Sequence, residues 1–111
     1  MAIILIGRFY FKQTNNGNLI GEFSNNKNPG IYTESSDLIG STGDYLGKYH
    51  SSWQEDGISQ FADLAISQKP KTNNKIFILK WSRKGIPIFK GEGMLCDNIL
   101  IGDYQEESRH K

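Results

Sequence analysis

Two histidines, one cysteine and a scatter of carboxylates are the side chains from which this 111-residue chain could assemble polar chemistry. A nucleophilic mechanism needs a hydroxyl or thiol with a base in reach, and the base is most often histidine. His50 is followed by Ser51 and Ser52. Neighbours along an extended chain project in different directions, so that pairing is poor, and His50 reads as an exposed strand residue. Asp44 and Asp56, near the ends of the same segment, are the carboxylates that loops could bring toward it. His110 lies in a polar terminal stretch. Cys96 stands beside Asp97, whose charge raises a thiol pKa and disfavours the reactive thiolate, so Cys96 reads as a small buried apolar residue.

Metal and phosphate chemistry have no better footing. The chain has no CxxC, HxH or HExxH spacing. Asp37, Asp44, Asp56, Asp63, Asp97 and Asp103 do not follow the spacing of a calcium loop. Gly91-Glu92-Gly93 carries a charge between its glycines in a strand context and reads as a bend rather than a phosphate cradle. The expectation is a protein that is not an enzyme, with no catalytic residue, no metal and no cofactor.

Aromatic residues are better organised. A pattern of apolar, any, Gly, charged, aromatic recurs as Leu5-Ile6-Gly7-Arg8-Phe9, Leu19-Ile20-Gly21-Glu22-Phe23, Tyr45-Leu46-Gly47-Lys48-Tyr49 and Leu100-Ile101-Gly102-Asp103-Tyr104. On a strand, each copy sets its apolar residue, Gly and aromatic on one face and the charge on the other. Glycines repeated on several strands are how a sheet bends toward closure. The Gly-bearing face then holds Leu5, Phe9, Phe11, Leu19, Phe23, Tyr45, Tyr49, Trp53, Phe89, Leu95, Leu100 and Tyr104, and Phe77, Leu79 and Trp81 alternate with Ile76, Ile78 and Lys80. The opposite face carries Arg8, Lys12, Glu22, Lys48, Glu92 and Asp103, with Tyr10, Tyr32 and Phe61 as candidates for an outward aromatic surface.

Turn signals divide the chain into eight strand candidates, at 3–13, 18–25, 31–40, 45–54, 58–67, 75–83, 86–96 and 99–105. The breaks include Asn15-Asn16-Gly17, the loop from Asn25 to Gly30, Glu55-Asp56-Gly57, Arg83-Lys84-Gly85 and Asp97-Asn98, with a weaker one at Ser41 to Asp44. The segment Ile58 to Ile66 fits a helix or a strand, and as a strand it puts Ile58, Ala62, Leu64 and Ile66 on one face. Short strands joined by short turns predict an all-β fold, a single eight-stranded antiparallel up-and-down meander barrel over 1–111, with 106–111 a polar C-terminal tail.

Composition bounds the partners. Thirteen basic against twelve acidic residues give a formal charge of +1, without the basic footprint of a nucleic-acid binder. One cysteine forms no intrachain disulfide. The apolar run Ala2 to Ile6 is short for a signal peptide, and no stretch reaches the length of a membrane helix. The expected setting is cytoplasmic, with no nucleic acid and no membrane.

Gly47-Lys48-Tyr49 with Trp53, Lys80-Trp81, and the run from Phe89-Lys90-Gly91-Glu92-Gly93-Met94 through Leu100-Ile101-Gly102-Asp103-Tyr104 resemble the calycin-type barrels, which include lipocalins, avidins and intracellular fatty-acid-binding proteins. That resemblance implies a barrel with a lumen. Two functions follow as expectations. One is binding of a small apolar ligand in the barrel interior, lined by Phe9, Phe23, Tyr49, Trp53, Trp81 and Tyr104. The other is capture of a protein partner by the outer surface, as in an immunity protein that neutralises a toxin. A hollow interior favours the first; a filled one with an exposed aromatic and charged patch favours the second.

Overall fold

The structure, a computed structural model, describes residues 4–71 and 76–107, the side chains of 41–43 excepted. Eight strands follow one another: β1 (Ile6–Gln13), β2 (Leu19–Asn25), β3 (Tyr32–Gly43), β4 (Leu46–Glu55), β5 (Ile58–Gln68), β6 (Ile76–Arg83), β7 (Ile86–Cys96) and β8 (Ile99–Glu106). Each pairs antiparallel with the next, and β1 pairs with β8, so the sheet is a closed up-and-down barrel. Ile58–Gln68 is therefore strand and not helix.

Turn chemistry fixes the hairpins. Asp56-Gly57, Lys84-Gly85 and Asp97-Asn98 all hold both central residues at positive φ. That is the two-residue geometry whose twist matches the flanking strands, and Gly, Asn and Asp tolerate it best. The break expected from Ser41 lies further on. β3 continues to Gly43 through register shifts at Leu38/Gly40 and Ser41/Gly43, and the chain reverses at Asp44-Tyr45. The extra residues are absorbed as irregularities in the β3–β4 ladder.

Alternation sorts the side chains as the repeated pattern demands. Phe9, Phe11, Leu19, Phe23, Tyr49, Trp53, Phe77, Leu79, Trp81, Leu100 and Tyr104 are buried inside, while Arg8, Lys12, Lys48, Glu92 and Asp103 are exposed. Three expected interior residues stand outside. Leu95, Cys96 and Ile58 are exposed because they lie at strand ends, where the wall runs beyond the packed core. Tyr32, expected outward, packs instead on Phe23 with ring centroids 5.6 Å apart. The polar tail also begins later than 106. Glu106 belongs to β8, opposite Phe89, and its backbone N–H donates to the Leu5 carbonyl at 3.0 Å; residues 108–111 lie outside the described ones.

Several glycines allow a close approach between neighbouring strands. A β-carbon at Gly21 would overlap the Tyr10 carbonyl oxygen, and one at Gly102 would overlap that of Glu92. The obstacle is backbone of the adjacent strand, not side chains crossing the barrel. Gly47 serves differently, since its φ of 144° is one that side-chain-bearing residues rarely adopt.

Gly102→Val should destabilise the barrel by roughly 1–3 kcal/mol in urea titration, because backbone cannot yield as a side chain can. Gly40→Ala, where no atom lies within 4 Å of an added β-carbon, should stay within about 0.5 kcal/mol of the parent. Equal stabilities would remove the steric role of Gly102.

Candidate functional site

The two ends of the barrel interior are built differently. At the end near the β3–β4 turn, Tyr45 folds inward from a left-handed backbone position. Its hydroxyl has the carbonyls of Asn98 at 2.8 Å and Phe11 at 3.0 Å as acceptors for its one proton, and it accepts from the Gln13 N–H at 3.1 Å. The Tyr49 hydroxyl donates to the Tyr45 carbonyl at 2.8 Å. Tyr45 thus stitches β1 to the β7–β8 turn and closes this end. Tyr49, expected to line a ligand site, belongs to this seal.

The other end holds a buried carboxylate. Alternation along β3 sends Thr33 and Ser35 outward and Glu34 and Ser36 inward, with Gly21 and Trp53 flanking Glu34 in the same inward row. Glu34 is 5% exposed. The Ser51 hydroxyl donates to its Oε2, and the Trp81 indole N–H donates to the same oxygen at 2.8 Å. The Ser36 and Ser51 hydroxyls lie 2.8 Å apart and extend this buried chain. Burial pushes the Glu34 carboxyl up to about 7, against the opposing pull of the Ser51 and Trp81 hydrogen bonds.

Glu34 faces a void of about 20 Å³, room for a single water-sized group. Five of the six expected site residues, Phe9, Phe23, Trp53, Trp81 and Tyr104, line it together with Phe89. Their rings hold each other largely edge to face: Phe9 on Trp81 at 5.8 Å and 81°, Phe23 on Trp53 at 6.2 Å and 84°, Phe89 on Tyr104 at 5.6 Å and 84°. Such contacts fix ring orientation beyond what burial alone does. Asn25 and Glu55 complete the lining. Glu55 accepts from the Trp53 indole at 3.1 Å, from Asn28 Nδ2 at 2.6 Å and from Asn25 Nδ2 at 3.3 Å, and Asn25 Nδ2 also reaches the Tyr104 hydroxyl at 3.2 Å. Burial pushes the Tyr104 phenol up to about 12, so it stays protonated here. The assembly can offer an acceptor, a negative charge or a proton-binding oxygen at neutral pH, inside walls that exclude bulk water.

His50 is elsewhere. It stands on the outer wall, and its Nδ1 lies 3.1 Å from Asp63 Oδ1. That partner comes from the cross-strand position on β5, not from Asp44 or Asp56. With side chains 70% and 57% exposed, the pair is a solvated surface contact of small energetic weight. Ser51, next in sequence, points to the opposite face and serves Glu34. Among the described residues, no three His, Cys, Asp or Glu side chains gather as a metal site requires.

Sequence reasoning missed Glu34. The run Thr33-Glu34-Ser35-Ser36-Asp37 is polar at every position, so it shows no apolar phase from which to tell the inward residues. The phase was recoverable from the partner strand: Tyr49 and Trp53 fix the inward set of β4, which includes Ser51.

The closed eight-stranded antiparallel barrel is consistent with a calycin-like fold. No protein-family model, curated protein or solved structure matches the chain.

A pH dependence of stability follows from Glu34. Its folded pKa lies above its ordinary value of 4.5, so the folded state binds this proton more tightly than the unfolded state. The contribution is complete below about 4.5, is lost as pH rises toward about 7, and is level above that. Glu34→Gln should remove a loss on the order of 3 kcal/mol across that window. Glu106 acts with the opposite sign: the Leu5 N–H first, and then Lys27, hold its carboxyl below the usual range. The difference between the parent and Glu34→Gln in urea titrations at several pH values isolates Glu34. Parallel curves would contradict a buried, proton-binding carboxyl.

Proposed function

We propose that this protein is a non-catalytic binding barrel that receives one small group of a ligand in the lumen, against Glu34. The observation that carries this reading is the convergence of six aromatic rings and one buried carboxylate on a single void. A mostly apolar enclosure with a few placed polar groups and a perturbed carboxyl is the general form of a small-molecule site. The space of about 20 Å³ decides how the ligand enters. It has no room for an acyl chain or a ring, so only a terminal group is enclosed and the remainder lies at the rim formed by Asn25 and Glu55. The barrel then works as a reader of one head group rather than a carrier of a wholly apolar molecule.

Capture of a protein partner, such as a toxin neutralised by an immunity protein, is the second reading, and one surface favours it. Ile31 and Phe61, 72% and 65% exposed, bracket a shallow outer groove on β3, β4 and β5. Thr33, Ser35, Ser52 and Ser59 floor it, and no charged side chain lines it. An exposed aromatic anchor in a patch without charge suits a protein interface.

One experiment separates the two. The protein, Glu34→Gln and Phe61→Ser are exposed to the protein-free small-molecule fraction and, separately, to the protein fraction of an extract from the source organism, and examined by native mass spectrometry. The lumen reading expects a small adduct on the parent and on Phe61→Ser that Glu34→Gln lacks. A protein partner retained by Glu34→Gln and lost by Phe61→Ser, without any small adduct, would replace it with the second reading.

A further inference from the structure

The lumen reading leaves the chemical class of the head group open, and the polar atoms of the void narrow it. Both donors that reach Glu34 act on Oε2. No described group hydrogen-bonds Oε1, yet no buried side-chain oxygen is orphaned, so Oε1 is left accessible to the void that Glu34 lines. A second carboxylate, Glu55, stands at the rim, and no lysine, arginine or histidine is among the lining residues. The two indole N–H groups of the lining are already committed to carboxylates, Trp81 to Glu34 and Trp53 to Glu55. An entering anion would meet two like charges and find neither indole donor free. A cation would meet a free carboxylate oxygen inside a wall of aromatic rings, the surroundings in which ammonium groups are recognised. The size agrees, because an ammonium head occupies about the space of one water.

We infer that the void accepts the ammonium head of a small amine, which donates an N–H to Glu34 Oε1 and rests its remaining charge against the surrounding rings. The inference rests on the lumen being a ligand site. It excludes the fatty-acid type of ligand, whose carboxylate would be driven from Glu34 and Glu55.

Three small probes of different charge test it: methylammonium, methanol and formate, the smallest carboxylate. Each is titrated at about pH 8, above the ionisation of Glu34, while the ring resonances of Trp53, Trp81 and Tyr104 are followed by NMR. Methylammonium should shift these signals saturably, the other two should not, and Glu34→Gln should weaken methylammonium binding by at least about tenfold. Shifts from methanol or formate that match those from methylammonium would overturn the cation assignment while leaving a lumen site. The same holds for undiminished methylammonium binding by Glu34→Gln. Ring signals that no probe moves would overturn both the assignment and the lumen reading. If Glu34→Gln does not fold, the charge series on the parent protein decides alone.

Discussion

Pairing between β1 and β8 is the contact on which the rest of this architecture depends. It runs from Ile6 opposite Gln105 to Lys12 opposite Ile99 and joins the two ends of the chain. Without it the sheet would present two edges of unpaired backbone and an aromatic face open to water. With it, the inward positions away from the strand ends become core and the outward ones become wall. The seam needs the strands to come together without obstruction, and the glycines provide for that. Gly102 lies opposite Phe9 in the seam, and its missing β-carbon makes way for the Glu92 oxygen on the other side. Gly7, opposite Tyr104, likewise leaves space for that ring.

Closure creates a problem that the interior solves in two ways. A small barrel has more wall than filling, and the strand ends must be stoppered. Tyr45 does so at one end with a hydroxyl that touches Phe11, Gln13 and Asn98. The opposite end is spanned by Asn25, Asn28 and Glu55, side chains from a loop and two strands that share hydrogen bonds. The first closure satisfies backbone groups of distant segments with one rigid ring. The second is made of side-chain amides and a carboxylate, which exchange partners with water at little cost. A ligand entering the lumen meets less resistance at the second.

Glu34 sits behind that rim, and its placement costs stability. A carboxylate enclosed by rings loses its hydration, and two hydrogen bonds return only part of it, which is why its proton is held up to about 7. A glutamine there would relieve this while keeping an acceptor for Ser51 and Trp81. Strained or costly groups concentrate where function requires them, and a buried carboxylate beside a void is such a group.

The sequence by itself determined the barrel and the occupants of most of its interior. Period-two alternation on β1, β2, β4, β6 and β8 assigns Phe9, Phe23, Trp53, Trp81 and Tyr104 to one face, and paired turn residues such as Asp97-Asn98 time the reversals. Both signals are local, within a few residues, and local physics sets them. Only the tertiary structure decided the site. Which inward residues share a void depends on register across strands and on height along the barrel axis. That separated Tyr49, at the sealed end, from the five aromatics at the other, and it brought Ser51, Trp81 and Glu34 together across β4, β6 and β3. The polar run around Glu34 has no apolar phase to announce its inward face. Strand ends were equally hidden: Leu95 and Cys96 keep the inward or near-turn positions that the pattern suggests, yet they stand past the packed core and stay exposed. Alternation states a direction for each side chain, but burial requires something on the other side, and that comes from strands remote in the chain.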